Sequence, residues 1–196
     1  MSNAIKIENQ GSVVIVTFVC AEVRNALPVH VIDELTELIS NLSSGVSRLI
    51  FTGTDGVFAS GADLREISMV DGSTARDFAM RGQKLMASVA DLSSLTIAAV
   101  NGHCYGGALD LALACKVRIA SPNAEFCHPG AGLGIMTGWG GTQRLPRLVG
   151  EAMALEMFLT SKRLSSQEAL EIELVDAVME SPVGAALIYQ PLPRSI

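Results

Sequence analysis

Charge is scarce in this chain of 196 residues: Asp, Glu, Lys and Arg together make up 17% of it, and aromatic residues only 5%. The net charge is −6 and no basic run or stripe is present, which argues against nucleic-acid binding through phosphate neutralisation. No apolar run is long enough to span a bilayer. Met1–Gln10 lacks a basic start followed by an apolar stretch, so no secretory leader is expected. The four cysteines, Cys20, Cys104, Cys115 and Cys127, form no C-x-x-C pair, which points away from a zinc site or a disulfide framework. They read as reduced core thiols of a cytoplasmic protein. A G-x-x-x-x-G-K-S/T run is missing. Gly130 and Gly132 do not continue to a third glycine at dinucleotide-binding spacing, because that position is Ile135.

What the chain has in quantity is apolar side chain, at 49%. That is enough for one domain with a sizeable core, and it predicts that a partner subunit covers part of the surface. Ser12–Cys20 is rich in β-branched residues and predicts a strand; Arg48–Thr52, Thr96–Val100 and Val117–Ala120 predict three more. Apolar residues recur at helical spacing after Pro28 and over Thr74–Leu92. Ala108–Ala114 is apolar enough for a buried helix. Further helices are expected over Gly141–Val149, Ala152–Leu159 and Ser165–Ile172, the last opening with the capping-box pair Ser165 and Glu168. Strand and helix in alternation mean an α/β fold with a largely parallel sheet. The expected division is a domain over 1–180 and a proline-containing, loosely ordered tail over 181–196.

Glycine is clustered. Gly102, Gly106 and Gly107 fall within six residues, and Gly130, Gly132, Gly134, Gly138, Gly140 and Gly141 within twelve. A Gly-Gly step between a strand and a buried helix aims free N–H groups into the space above that helix, where they can hold a phosphate or a developing oxyanion. Glycine spacing alone reads more readily as turns and tight packing.

Read together, the loops say more. Phe58-Ala-Ser-Gly-Ala-Asp-Leu64 resembles the F-x-x-G-A-D-I/L loop of the enoyl-CoA hydratase/isomerase (crotonase) superfamily. Ala99 to Asp110 resembles its A-V-N-G-x-x-x-G-G-G-x-E loop, Gly138 to Arg147 its G-x-G-G-T-Q-R-L-x-R segment, and Leu164 to Asp176 a fourth block. The blocks stand in family order and at family spacing, from about Ile5 to Val178. The resemblance implies a crotonase-like spiral of ββα units with largely parallel sheets, its C-terminal helical region shortened, around an acyl-CoA thioester site. It implies oxyanion donors at the N–H groups of Ala62 and Gly107, and CoA contacts at Arg24, Ala26, Ser60, Ala62, Asp63, Leu64 and Arg65. For Arg24 and Arg65 an exposed surface charge is the alternative. It also implies a homotrimer or hexamer, with coenzyme A entering as part of the substrate and no separate cofactor or metal.

Hydratases of that family use two glutamates. The matching positions here are Asp110 and Gly130, so one acid–base group is missing and ordinary hydration is doubtful. Gly130→Glu is then expected to raise it. His128, two residues before Gly130, could hydrogen-bond Asp110 and act as base or acid with Asp110 orienting it; the alternative is a histidine satisfied in the core. Asp110 could instead cap a helix, and Cys104 could be a nucleophile or a packed thiol. Three functional classes remain: an acyl-CoA-processing enzyme of the hydratase or isomerase type, a catalytically impaired acyl-CoA-binding or assembly subunit, and a Clp-protease-like serine hydrolase. No serine lies between Gly102 and Asp110, where that hydrolase would place its nucleophile.

Overall fold

The structure is a computed structural model, described here for residues 4–190. It opens with an antiparallel hairpin, β1 (Ile5–Gln10) on β2 (Val13–Phe18), turning at Gly11. Pro28 precedes α1 (Val29–Ser40), which buries Val31, Ile32, Leu35 and Ile39 at the helical period. Two strands and a helix then repeat. The first turn is β3 (Arg48–Thr52), β4 (Val57–Ala59), the short α2 (Leu64–Ile67) and the long α3 (Ala75–Asp91). The second is β5 (Leu95–Val100), β6 (His103–Tyr105) and α4 (Gly107–Ala114). The third is β7 (Val117–Ala120), β8 (Glu125–Cys127) and α5 (Gly130–Leu133). After it come α6 (Gly141–Val149), α7 (Glu151–Thr160), β9 (Leu164–Ser165), α8 (Ser166–Glu171), β10 (Ala177–Val178) and α9 (Pro182–Ile188).

First strands of successive turns pair with one another, giving a sheet of order β1-β2-β3-β5-β7-β10, parallel from β2 onward. Second strands do the same in a sheet of order β4-β6-β8-β9, where only the β8–β9 pair is antiparallel. This is the ββα spiral that the resemblance implied. Strands β3, β5 and β7 are covered on both faces, so burial runs continuously along them rather than alternating, with Thr52, Thr96 and Arg118 buried among the apolar residues. The main core lies between the large sheet and the helices, with Phe18, Phe51, Phe58, Phe126, Leu85 and Met86 among its fully buried members.

Two expectations change. The N-terminal strand β1 had no place in the sequence reading, because it is an edge strand whose residues are half-buried or exposed and mostly polar. The expected loose tail is a helix over Pro182–Ile188; its remaining residues 191–196 lie outside the described ones. Ser181 accepts from the Gly184 N–H at the start of α9, and Pro182 fills the first helical position, where no N–H is needed. Ala186 packs on Ile15, Ile50, Ile97, Val117 and Ile119, the outer face of the large sheet. Arg48 of β3 donates to the carbonyls of Ala186 (3.3 Å), Leu187 and Tyr189 (2.6 Å), meeting the C-terminal end of the helix where a cation is favoured.

That anchor makes a testable claim. Arg48→Met keeps most of the aliphatic stem and removes the donors. Amide protons of residues 183–188 should then exchange roughly tenfold faster, while those of β3 and β5 keep their protection. Unchanged exchange in hydrogen–deuterium mass spectrometry would show that Arg48 does not hold α9.

Candidate active site

The Gly61 and Gly107 backbones touch. A Cβ built on Gly61 would lie 2.6 Å from the Gly107 nitrogen, and one built on Gly107 would lie 3.4 Å from the Ala62 nitrogen. Gly61 also has φ +88°, so a side chain there is excluded by both contact and conformation. Parallel pairing of β4 with β6 brings the two loops together. Ala26 bridges Gly61, and the Leu27 N–H donates to the Gly61 carbonyl at 2.8 Å, which pins the first loop from its other side. Gly107 opens α4, so its N–H has no acceptor within the helix. Neither the Ala62 nor the Gly107 N–H finds an acceptor among the described residues.

Ala62 and Gly107 line one cavity of about 470 Å³. Its walls come from α2 and α3 (Leu64, Ile67, Phe78), the segment Pro129–Trp139, and Phe158 of α7. No Asp, Glu, Lys or Arg lines it among the described residues. Trp139, the only tryptophan of the chain, lies where side chains on Gly82 and Gly107 would otherwise be, and its ring sits 5.8 Å from that of Phe78. Neither Trp139 nor Phe78 was singled out from sequence; a lone tryptophan inside a glycine run was the available signal.

Asp110 is fully buried in α4 and does not itself line the cavity. It does not cap its own helix, whose N-cap is Gly106 without a side-chain bond. Its Oδ2 accepts from the Thr137 hydroxyl. Its Oδ1 lies 3.5 Å from Nε2 of His128, close but without hydrogen-bond alignment, so both atoms are otherwise unpartnered. His128 lines the cavity, with its ring 5.0 Å from that of Phe158. The imidazole therefore stands between the carboxyl and the cavity. Burial pushes the Asp110 carboxyl up to about 7, opposed by the Thr137 hydrogen bond and the Arg144 charge. Burial alone pushes His128 down to about 4. Near neutrality the pair therefore holds a neutral imidazole beside a carboxyl close to its midpoint.

Gly130 lines the same cavity, but the room for a side chain is taken. A Cβ there would lie 2.4 Å from the Ile135 carbonyl oxygen, and the Ile135 N–H closes back on the Gly130 carbonyl at 3.0 Å. The expectation that Gly130→Glu restores a second carboxylate is corrected accordingly: the turn must open first.

The outer residues divide. Ser60 and Leu64 line the cavity, and the Ser60 N–H donates to the Arg24 carbonyl at 3.1 Å, placing Arg24 and Ala26 along the same strip. Asp63 caps α2 by accepting from the Arg65 N–H at 2.8 Å. The Arg65 guanidinium folds back onto it at 2.6 Å and holds the Asp63 carboxyl below the usual range. Arg65 is thus an exposed cation already paired. Cys104 is packed in the core, its thiol pushed well up by burial, which removes the nucleophile reading. His30 is exposed and His103 sits beside Glu125, both away from the cavity.

The shifted pair sets a pH dependence of stability. Asp110 titrates higher in the fold than in the unfolded chain, so its contribution is full below about 4 and is lost as pH rises through about 7. His128 titrates lower, so its contribution is present above about 6.5 and is lost as pH falls through about 4. Asp110→Asn removes the first dependence and leaves the second. The variant should gain stability over the parent at pH 8, on the order of 3 kcal/mol, with the gain shrinking towards pH 5. Thermal unfolding at the two pH values checks this; an equal difference at both would show that Asp110 does not carry the shift.

Comparison with known proteins bears on the family and the fold. Residues 8–183 match the enoyl-CoA hydratase/isomerase family. The chain is 39% identical over 181 residues to the short-chain-enoyl-CoA hydratase of Clostridium acetobutylicum, covering 91% of this chain and 69% of that protein. It is 40% identical over 159 residues to the crotonyl-CoA hydratase of Syntrophomonas wolfei, covering 80% and 61%. The chain thus spans 61% to 69% of the length of these two curated relatives. Among solved structures, Pseudomonas aeruginosa DspI matches with a TM-score of 0.90 at 34% identity over 95% of this chain and 78% of that one. The enoyl-CoA hydratase of Bacillus anthracis matches with a TM-score of 0.86 at 33% identity, over 94% and 72%. The spiral, the paired glycine loops and the extent of the match place this chain in the enoyl-CoA hydratase/isomerase family.

Proposed function

We propose that this protein binds an acyl-CoA thioester with its carbonyl oxygen between the Ala62 and Gly107 N–H groups and catalyses proton transfer at the carbon next to that carbonyl. The observation that carries the reading is the contact of the two loops, which presents both free N–H groups to one cavity. Removing the α-proton of a thioester moves charge onto the carbonyl oxygen. Two fixed donors stabilise that charge more than the ground-state carbonyl, and losing one such donor typically costs about 3 kcal/mol of barrier. The CoA portion would follow the strip formed by Arg24, Ala26, Ser60 and Asp63–Arg65, and the acyl chain the apolar walls. A cavity without charged side chains suits a hydrocarbon acyl group over one bearing a second carboxylate.

His128 is the group placed to move the proton, with Asp110 behind it. With Nε2 turned towards Asp110, Nδ1 is the nitrogen available to the cavity. In an isomerisation it would take the proton from C2 of a 3-enoyl thioester and return one to C4, using the same imidazole twice. Hydration asks for more, since water must be held and deprotonated on one face while C2 is protonated. Gly130 offers neither function. A role as a non-catalytic acyl-CoA-binding or assembly subunit is the second reading, favoured by the lack of any carboxylate on the cavity wall. A cytoplasmic setting accords with buried thiols that have no disulfide partners among the described residues.

Two assays test this. Deuterium uptake at C2 of butyryl-CoA in D2O, and conversion of 3-butenoyl-CoA to crotonyl-CoA, should both be detectable. Hydration of crotonyl-CoA should run about 10²–10⁴-fold below that of a two-glutamate hydratase. Binding of butyryl-CoA without exchange or conversion would favour the non-catalytic subunit, and rapid hydration would show that another group supplies the missing acid–base function.

We also expect a trimer or a dimer of trimers. Leu155 and Leu159 on α7 are 57% and 61% exposed, and Met136 beside the cavity is 53% exposed, apolar side chains that a neighbouring subunit would cover. A monomeric mass by light scattering at micromolar concentration would reject the oligomer.

A further inference from the structure

We propose that Thr137 is a positioning residue: its hydroxyl holds one oxygen of the buried Asp110 carboxyl so that the other faces Nε2 of His128, and it thereby governs which of the two carries the proton. The proposal rests on the reading of His128 as the proton-transferring group.

The carboxyl sits in a slot with few partners. Thr137 is its one hydrogen-bond donor among the described residues. The backbone of α6 closes in on Oδ1 and on Thr137 alike: a Cβ on Gly141 would lie 2.1 Å from Oδ1 of Asp110 and 2.9 Å from Cγ2 of Thr137. The carboxyl is therefore confined by α6 and oriented by one hydroxyl, and that orientation leaves Oδ1 3.5 Å from Nε2 of the imidazole. Without the hydroxyl, neither oxygen would have a hydrogen bond, and nothing would fix the plane of the group relative to His128.

The same bond acts on protonation. A hydroxyl can donate to a carboxylate or accept from the acid, so the contact survives both states. Donation to the charged form is roughly twice as strong, however, so Thr137 favours the ionised carboxyl. The other titratable or charged groups that face Asp110 are His128 from the segment after β8, Arg144 from α6, and the buried Cys104 thiol of β6. Arg144 also favours the carboxylate, whereas burial opposes it. Thr137 is the contributor that can be removed with least change of shape, because valine has the same branching.

Thr137→Val should move the acid limb of the pH–rate profile for 3-butenoyl-CoA isomerisation upward by about one pH unit. It should lower kcat at pH 7 roughly tenfold or more, since proton transfer by a positioned group contributes at least that much. KM should stay within about twofold, since binding rests on the loops and the apolar wall. Thr137→Ser restores the hydroxyl and should restore both limb and kcat. If valine prevents folding, Thr137→Ala against Thr137→Ser gives the same comparison. A pH limb that is the same in Thr137→Val as in the parent, or a serine variant that fails to recover it, overturns the proposal. Titration of the His128 ring nitrogens by NMR in the 15N-histidine-labelled chain separates the two levels. A His128 titration displaced by Thr137→Val, in a protein that turns over no thioester, would uphold the coupling and sink the catalytic reading. An undisplaced titration in an active protein would do the reverse.

Discussion

The approach of two backbones, at Gly61 and at Gly107, is the constraint around which the rest is built. The loops belong to successive turns of the spiral, and the parallel pairing of β4 with β6 determines how near they come. A side chain on either residue would meet the other loop's backbone or the Trp139 ring, so the contact depends on hydrogen at both positions. Around it the supports are ordinary ones. Ala26 bridges Gly61, and Glu66 accepts from the Val29 N–H at 2.8 Å, tying α2 to the start of α1. Trp139 lies against Gly107 and fixes the start of α4 from above. Two main-chain donors held this way would lose little entropy on binding an oxyanion of the kind proposed, because they are ordered by folding and not by the ligand.

The electrostatics follow from the same packing. α4 is buried along nearly its whole length so that Gly107 can sit at the head of the cavity, and this carries Asp110 into a place that water does not reach. A lone carboxylate there would be costly. Thr137 and Arg144 offset that cost in different ways. The hydroxyl binds the charged form and the guanidinium attracts it, while the neutral His128 imidazole lies 3.5 Å from the other oxygen. A tightly closed turn at Gly130 completes the arrangement, since it holds the Pro129–Ile135 segment against the cavity while leaving no room for a second carboxylate.

Much of this was legible in the sequence, for identifiable reasons. Elements with a strong period or a dense apolar run, such as α1, α3, β3 and β5, stand where periodicity puts them, because burial of one face or two dictates the pattern. Ser165 and Glu168 form the reciprocal cap their spacing implied. The three-residue strands β4, β6 and β8 were not legible as strands, since three residues cannot display a period; the loop motifs around them carried the information instead. α9 was hidden because proline and short apolar stretches resemble a tail, and its docking depends on Arg48, far away in sequence. At the site, the motifs pointed to Ala62, Gly107 and Asp110, and the geometry brings His128 to Asp110. Thr137 was missed because a single threonine among glycines has no sequence signature; its role depends on a carboxyl 27 positions earlier.

What distinguishes this site is the number of protons it can manage and where they sit. A pair of exposed carboxylates can hold a water and deliver a proton simultaneously, which is the requirement of addition across a double bond. A buried pair with one imidazole at the cavity, if it acts as proposed, would move one proton at a time and take it back. The apolar walls reinforce that limit, since few groups are present to hold a water in a fixed attacking position. Low polarity also strengthens the pull of the two backbone donors on a thioester oxygen. The same features that weaken the case for water addition therefore strengthen the case for an enolate that is formed, held and reprotonated. Under the proposed reading, glycine at position 130 would alter which reaction the fold favours while leaving in place the two backbone donors that an enolate would need.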